Sequence, residues 1–421
     1  PAAPAAEPAA PATTDNSAAS DGEEPAAAEP VEIVWAGWSG EEEGSKQIFI
    51  EMQEGFEAAS GNNVTWVGFP WADTAQQLLI RSQGDEQLDI AQVDLGIFAS
   101  LSETGELADL NEVFGKDYLE ENFDAATLAL GNVDGKQLAL PWSMASITMV
   151  YNPEILKAAG WDDYPKTIVE FEQCLADIAA YDSSIIPYAP ATKDNTTVGD
   201  FEPLLWTMGA SVFGSDGSVT INGETAVKVV EWYKSLLDKN FIRLDMTRFD
   251  ARQLFAQGKV AFYYDAVVAK GSAIANGVDP ANISNVCSAM PLPVVNAGDP
   301  PQSTMWGHML VLFEDSTVKE QAAELAKYLV GDAVALKYFE QNGMPPVLNS
   351  IVSSPTVQND PYAKGFLDAT KTARLSETSL LPNSSEVRTI IVEELQAAWL
   401  GVKDAQTAMN DAAARIEAVM P

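Results

Sequence analysis

The sequence predicts an α/β fold with a parallel sheet, on three observations. Short β-type runs alternate with amphipathic stretches of helical period from residue 31 onward. Strand-like runs end in polar or glycine-bearing turns before the next helix starts. No short internal repeat points to a solenoid.

The elements follow in order. Val31–Trp35 is a short β-type run ending at Gly37. Gln47–Ala59 places Ile48, Met52 and Phe56 on one helical face. Asn63–Gly68 is a second strand, Asp73–Gln83 a second helix, and Leu88–Val93 a third strand ending at Asp94. This β-α-β-α-β alternation puts helices on the faces of a parallel sheet, whose ligands bind at the carboxyl ends of the strands. Trp38, Trp71 and Asp94 fall at those ends. Further along, Thr167 and Glu170 form a T-x-x-E capping box ahead of Phe171, Leu175 and Ile178. Gly258–Asp265 closes a second set of alternating elements, Asn285–Val295 is an extended, proline-punctuated segment, and His308–Phe313 is another strand. Val318, Ala322, Leu325 and Leu329 then share a helical face. The C-terminal part is helical, with Val387, Ile391, Leu395 and Ala398 on one stripe and Ala405, Met409, Ala412 and Ile416 on another.

Residues 1–30 differ from all of this. They hold 12 Ala, 6 Pro and 6 acidic residues, with no aromatic residue, Lys or Arg. Such a stretch buries too little apolar surface to offset its ordering entropy and reads as a disordered linker. It carries no basic n-region or apolar h-region, so it does not read as a signal peptide. It suits a leash that tethers a domain to a cell surface, or an inert linker.

Composition narrows the function. With 61 acidic and 24 basic residues, the net charge of −37 disfavours nucleic acid and anionic lipid as partners; its plain meaning is a self-repelling, soluble surface. No apolar run reaches the ~18 residues of a transmembrane helix. Only one His and two Cys are present, against 10 Trp, 11 Tyr and 16 Phe. Nucleophilic and metal chemistry draw on the former pair. No G-x-x-x-x-G-K-[ST] loop, H-E-x-x-H or Cys–His cluster occurs, so nucleotide hydrolysis and zinc chemistry have no support, and no cofactor or metal is implied. Cys174, on an apolar helix face, and Cys287, in a predicted strand, read as two buried thiols; spacing alone does not exclude a disulfide.

The aromatic excess carries the positive signal. Rings at loop tips make flat, half-wet platforms on which the C–H face of a sugar stacks. The candidate ligand-contacting residues are Trp38 in a Gly-flanked loop, Trp71 in GFPWAD, Trp142 after Pro141, Trp206 in PLLWTMG, and Trp306 in the loop MWGH. Asp94 and Asp265 end strands as acceptors for hydroxyls, and Glu41 is an eighth candidate. Each has a plain alternative: core packing for the tryptophans, a helix cap for Asp94, and a solvated charge run for Glu41–Glu43. His308 reads as a satisfied core or rim residue. Tyr263 and Tyr264, as strand neighbours, point to opposite faces and do not chelate one ion unless the strand is broken.

Four stretches resemble the extracellular solute-binding proteins of ABC importers, in the carbohydrate-binding branch that includes maltose-binding protein. They are residues 89–110 (DIAQVDLGIFASLSETGELADL), 134–153 (DGKQLALPWSMASITMVYNP), 253–265 (QLFAQGKVAFYYD) and 306–330 (WGHMLVLFEDSTVKEQAAELAKYLV), with the loop GMPP at 343–346. The resemblance spans residues 31–421 and implies a two-lobed, periplasmic-binding-protein-like α/β fold with a hinge of three crossover segments and a central cleft. The crossings fall near Met144–Thr148, Pro291–Val295 and Pro345–Asn349. Lobe 1 comprises 31–145 and 294–345; lobe 2 comprises 146–293 and 346–421. It further implies a monomer that is not an enzyme, that binds a carbohydrate, expected to be an oligosaccharide, and that meets ABC importer permease subunits. The location implied is the extracellular face of the cytoplasmic membrane of a Gram-positive cell, with a lipid anchor on a residue upstream of this chain. A polyamine or another small solute is the alternative ligand. A glycoside hydrolase is the less favoured alternative, since two carboxylates suffice for that chemistry. With only seven Arg, phosphate recognition is weakly supported.

Overall fold

The computed structural model describes residues 29–420 apart from 85, 380 and 382. All but the last two residues of the expected Ala/Pro-rich linker lie outside the described residues.

Strand β1 (Glu32–Gly37), helix α1 (Lys46–Ser60), β2 (Asn63–Gly68), α2 (Trp71–Ser82), β3 (Ile90–Asp94) and α3 (Leu95–Ser102) follow the predicted alternation. β1 pairs in parallel with β2 and β3. Next come β4 (Leu140–Tyr151), α4 (Ile168–Tyr181), β5 (Ile186–Tyr188), α5 (Thr196–Thr207), α6 (Glu224–Asp238), α7 (Arg248–Ala256), β6 (Val260–Asp265) and β7 (Ser288–Met290). The chain then forms β8 (Ser303–Leu312), α8 (Lys319–Val330), α9 (Asp332–Asn342), α10 (Pro361–Thr370), α11 (Ser384–Trp399) and α12 (Ala405–Val419).

The main sheet has the order β2-β1-β3-β8-β4-β6-β5, with β7 beside β4. It is mixed rather than parallel throughout, because the long strands β8 and β4 run antiparallel to their neighbours. β4 decides the architecture. Residues 140–147 pair with β8, whereas 148–151 pair with β6 and 149–151 with β7. One strand thus serves two sets of partners and changes between them at Thr148, inside the segment where the first crossing is expected. At the β4–β8 contact, Gly307 is obligatory: a Cβ there would collide with Met144 Sδ and come 2.6 Å from the Ser143 carbonyl oxygen.

Sequence alternation becomes burial on two faces. Ile33, Trp35, Leu310 and Leu312 join one core, which also takes Phe49, Met52 and Phe56 of α1 and the buried face of α8. Ala36, Trp38, Met309 and Val311 join a second core under α3. A third core gathers Phe171, Cys174, Leu175 and Ile178 of α4 with Val387, Ile391 and Leu395 of α11 and Met409, Ala412 and Ile416 of α12. Tyr263 and Tyr264 enter different cores, as strand neighbours must. Thr167 and Glu170 close the capping box in both directions at α4. Cys174 and Cys287 are buried free thiols. Cys287 sits just before β7 rather than in a strand, because Asn285–Val295 begins as a short helix end at Ile283–Val286.

Candidate functional site

One cavity of about 580 Å³ is lined from both ends of the sheet, within the ~300–1,000 Å³ of small-molecule sites. The starts of α2, α3, α5, α7 and α11 converge on it, with Trp71, Asp94, Thr196, Arg248 and Ser384 at the lining. Helix starts meet here because each helix follows the carboxyl end of a strand or a loop beside one. The first turns of α3, α5 and α7 are capped locally, Ile97 N by Asp94 Oδ1, Thr196 N by Asp194 Oδ1 and Asp250 N by Thr247 Oγ1.

Five of the eight candidates line this cavity: Trp38, Trp71, Asp94, Asp265 and Trp306. Trp38 leaves β1 as expected and sets its ring edge-on to His308 at 4.9 Å between centroids. Trp306 lies within β8 rather than in a loop ahead of it, and its ring is 4.6 Å from His308 on the other side. His308 is therefore the spacer between two indoles. It is buried, and its Nδ1 is 2.9 Å from Gln92 Nε2. Burial holds its imidazole down at about 3, so it is neutral. Trp71 donates from Nε1 to Asp94 Oδ2 at 2.9 Å, while Asp94 Oδ1 accepts from Ile97 N at 2.8 Å. Asp94 is thus both a helix cap and the clamp for an indole plate; the two readings of this residue are compatible.

Asp265 is fully buried and has its carboxylate engaged. Oδ2 accepts from Arg252 Nε and Oδ1 from Arg252 Nη2, each at 2.8 Å, and Oδ1 also accepts from Ala266 N. It presents Arg252 to the cavity more than it presents itself. Burial works against the Arg252 charge, and Asp265 with Glu42 more than offsets it.

The other three candidates sit elsewhere. Trp142 is 2% exposed, packs against Tyr338 and Phe49 at 5.5 and 5.7 Å, and donates to the Leu329 carbonyl at 3.2 Å. It is interior to β4 instead of beyond a strand end, so its ring serves the core. Trp206 is also buried. Its Nε1 donates to Glu377 Oε1 at 2.7 Å, and the Arg374 guanidinium covers its ring at 4.5 Å. Glu41 accepts from Trp66 Nε1 at 3.0 Å outside the cavity. Its neighbour Glu42 lines the cavity instead, its carboxyl raised by burial against the opposing pull of Arg252.

The sequence reading missed the arginines. Of the seven in the chain, Arg248, Arg252 and Arg388 line the cavity, so a low total does not mean a low local density. The signal for two of them was present: Thr247 and Asp250 form a capping box that starts α7 and puts Arg248 in its first turn, with Arg252 one turn on. Arg388, in α11, had no local signal. Arg248 pairs with Asp200, whose other oxygen accepts from Ala191 N at 2.8 Å. Burial raises the Asp200 carboxyl to about 6 against the opposing pull of Arg248. Among the described residues, no group of three or more His, Cys, Asp or Glu can hold a metal ion, and no helix is long and apolar enough to cross a membrane.

The wall offers indole and phenyl faces, guanidinium and hydroxyl donors, and a few fixed carboxylates, an arrangement that holds a polar guest from several sides. Comparison with known proteins agrees. The family model described as "Bacterial extracellular solute-binding protein" matches residues 51–365. A putative binding protein of Brucella abortus is 22% identical over 380 residues, covering 88% of this chain and 89% of the relative. The diacetylchitobiose binding protein DasA of Streptomyces coelicolor is 25% identical over 312 residues, covering 72% and 71%. The GacH receptor of Streptomyces glaucescens, solved unliganded and with acarbose, superposes with a TM-score of 0.82 at 19% identity, over 92% of this chain and 98% of that one. These similarities, with a fold of alternating elements whose helix starts enclose a solute-sized cavity, identify the chain as a member of the bacterial extracellular solute-binding protein family.

Proposed function

We propose that the chain binds a carbohydrate of more than one ring in the cavity and delivers it, unaltered, to the permease subunits of an ABC importer. The observation that carries this reading is the pair of partly exposed indoles Trp71 and Trp306 on one cavity, with Trp38 buried behind its wall, interleaved with Asp94 and the Arg252–Asp265 pair. Stacked ring faces with charge-anchored hydrogen bonds at the edges are what a hydroxylated pyranose needs. DasA and GacH, named for diacetylchitobiose and crystallised with acarbose, support the same ligand class. In this reading lobe 1 (31–145 and 294–345) and lobe 2 (146–293 and 346–421) close over the solute by hinge motion at the crossing segments. The protein works as a monomer on the extracellular face of the cytoplasmic membrane, lipid-anchored upstream of residue 1. A thermal-shift screen against a glycan panel tests it, because a tight ligand raises the melting temperature by mass action. Stabilisation by spermidine and by no glycan replaces the carbohydrate reading with a polyamine one. Steady release of shorter products from an oligosaccharide, seen by chromatography, makes the protein a hydrolase.

A further inference from the structure

We infer that the solute carries an oxyanion, a carboxylate or a phosphate on the sugar, and that Arg388 receives it. This rests on the carbohydrate reading and deepens it. Three guanidiniums line the cavity, and two are matched to carboxylates: Arg248 to Asp200 and Arg252 to Asp265. Arg388 is not. Among the described residues its hydrogen-bond partner is a neutral one, the Ser379 hydroxyl, accepting from Nη1 at 2.9 Å, and its Nε is buried with no partner. A buried donor on a charged group with no acceptor costs free energy until something supplies one.

The acids around Arg388 are engaged elsewhere, apart from Glu202 Oε2, which is buried with no hydrogen-bond partner. Asp94, facing it from the start of α3, is held by Trp71 Nε1 and Ile97 N. Asp200 serves Arg248 and Ala191 N. Asp194 Oδ1 accepts from Thr196 N and from the Thr196 hydroxyl. Glu202 Oε1 accepts from Thr378 N and Oγ1, and burial raises its carboxyl against the opposing pull of Arg388, with no hydrogen bond between the two. Burial in turn lowers Arg388 from its ordinary value, as expected of an under-compensated cation.

Geometry makes the place a receptor. A methyl group on Gly199, in the first turn of α5, would lie 3.4 Å from Arg388 Nη2 and 3.8 Å from Arg248 Nη2. The two forks therefore converge above a residue with no side chain, and the hydroxyls of Ser384 and Ser385 line the cavity beside them. Two guanidinium forks over an open floor fit the paired oxygens of a carboxylate or phosphate. The net charge of −37 does not oppose this, since screening confines the field of distant surface charges.

The test is isothermal titration of the full chain with matched pairs: cellobiose against its glucuronosyl-glucose counterpart, maltose against maltose 1-phosphate, and inorganic phosphate and glucuronate alone. At least one acidic member should bind about tenfold or more tightly than its neutral partner, with an affinity that falls as NaCl rises. The carboxylate and phosphate arms distinguish the two sources. Arg388→Gln should lower the ratio of acidic to neutral affinity by about 10- to 100-fold. Arg388→Lys, which keeps the charge but not the fork, should retain part of it. If Arg388→Gln fails to fold, the wild-type pairs and their salt dependence decide alone. Neutral members binding as well as acidic ones in every pair overturn the inference and leave the carbohydrate reading standing. Binding by spermidine and by no saccharide removes both.

Discussion

Replacing Asp265 with Asn tests whether the Arg252–Asp265 pair is an energetic support of the cavity wall. Asp265 is fully buried, the Arg252 side chain is 12% exposed, and the two share a bidentate contact at 2.8 Å. Asn keeps one acceptor oxygen but removes the negative charge, so Arg252 is left as a buried cation with half its partner. Breaking one side of such a pair costs about 3–5 kcal/mol, and the retained acceptor puts Asp265→Asn near the lower end, about 3 kcal/mol. For a body spanning residues 31–421, an unfolding entropy of roughly 0.8 kcal/mol/K converts this to a fall in melting temperature of about 4 °C if unfolding is two-state. Urea unfolding followed by circular dichroism reads the cost directly. The sign of the double variant is the sharper check. Arg252→Met with Asp265→Asn removes the orphaned charge as well, so it should be more stable than Asp265→Asn alone. An Asp265→Asn protein as stable as wild type, or a double variant less stable than the single one, refutes the account.

The remaining predictions separate cavity from core. Trp306→Ala should lower affinity for the stabilising glycan by about tenfold and leave the melting temperature within about 2 °C, whereas Trp142→Ala should destabilise by about 3–5 kcal/mol, because its ring is interior; calorimetry with and without ligand reads both. Asp94→Ala should cost about 1 kcal/mol through the lost cap on α3 and also loosen Trp71, visible as a change in tryptophan emission. His308 has a folded pKa of about 3 against 6.5 unfolded, so the stability it contributes is complete above pH 6.5 and is lost as pH falls toward 3. Compared with wild type, His308→Gln should have a stability–pH curve shallower by up to about 1.4 kcal/mol per pH unit in that window. Burial pushes the Cys174 thiol up to about 12 and raises Cys287 as well. A thiol reagent should therefore be inert toward the native protein and titrate two groups after unfolding.

The amino-acid order alone determined the elements and most of their faces. Period-2 and period-3.6 patterns and the Thr167–Glu170 box are local, and local interactions set them, so Asn63–Gly68 and the buried stripes of α1, α4, α11 and α12 were legible residue by residue. Trp38, Trp71 and Asp94 were legible too, because a residue just beyond a strand in an α/β unit has its position dictated by the unit itself. Tertiary structure decided what long-range pairing controls. β4 and β8 run across the molecule, so Trp142 and Trp306, alike in sequence context, separate: one is interior to β4 against Tyr338, the other faces the cavity beside His308. Trp206 lost its ring face to Arg374, 168 positions away in sequence, and Arg388 met Arg248 over Gly199 only through the packing of α11 beside α5. Side-chain charge is written in the sequence, but whether a charge is paired, orphaned or solvated depends on which distant segment the fold lays against it.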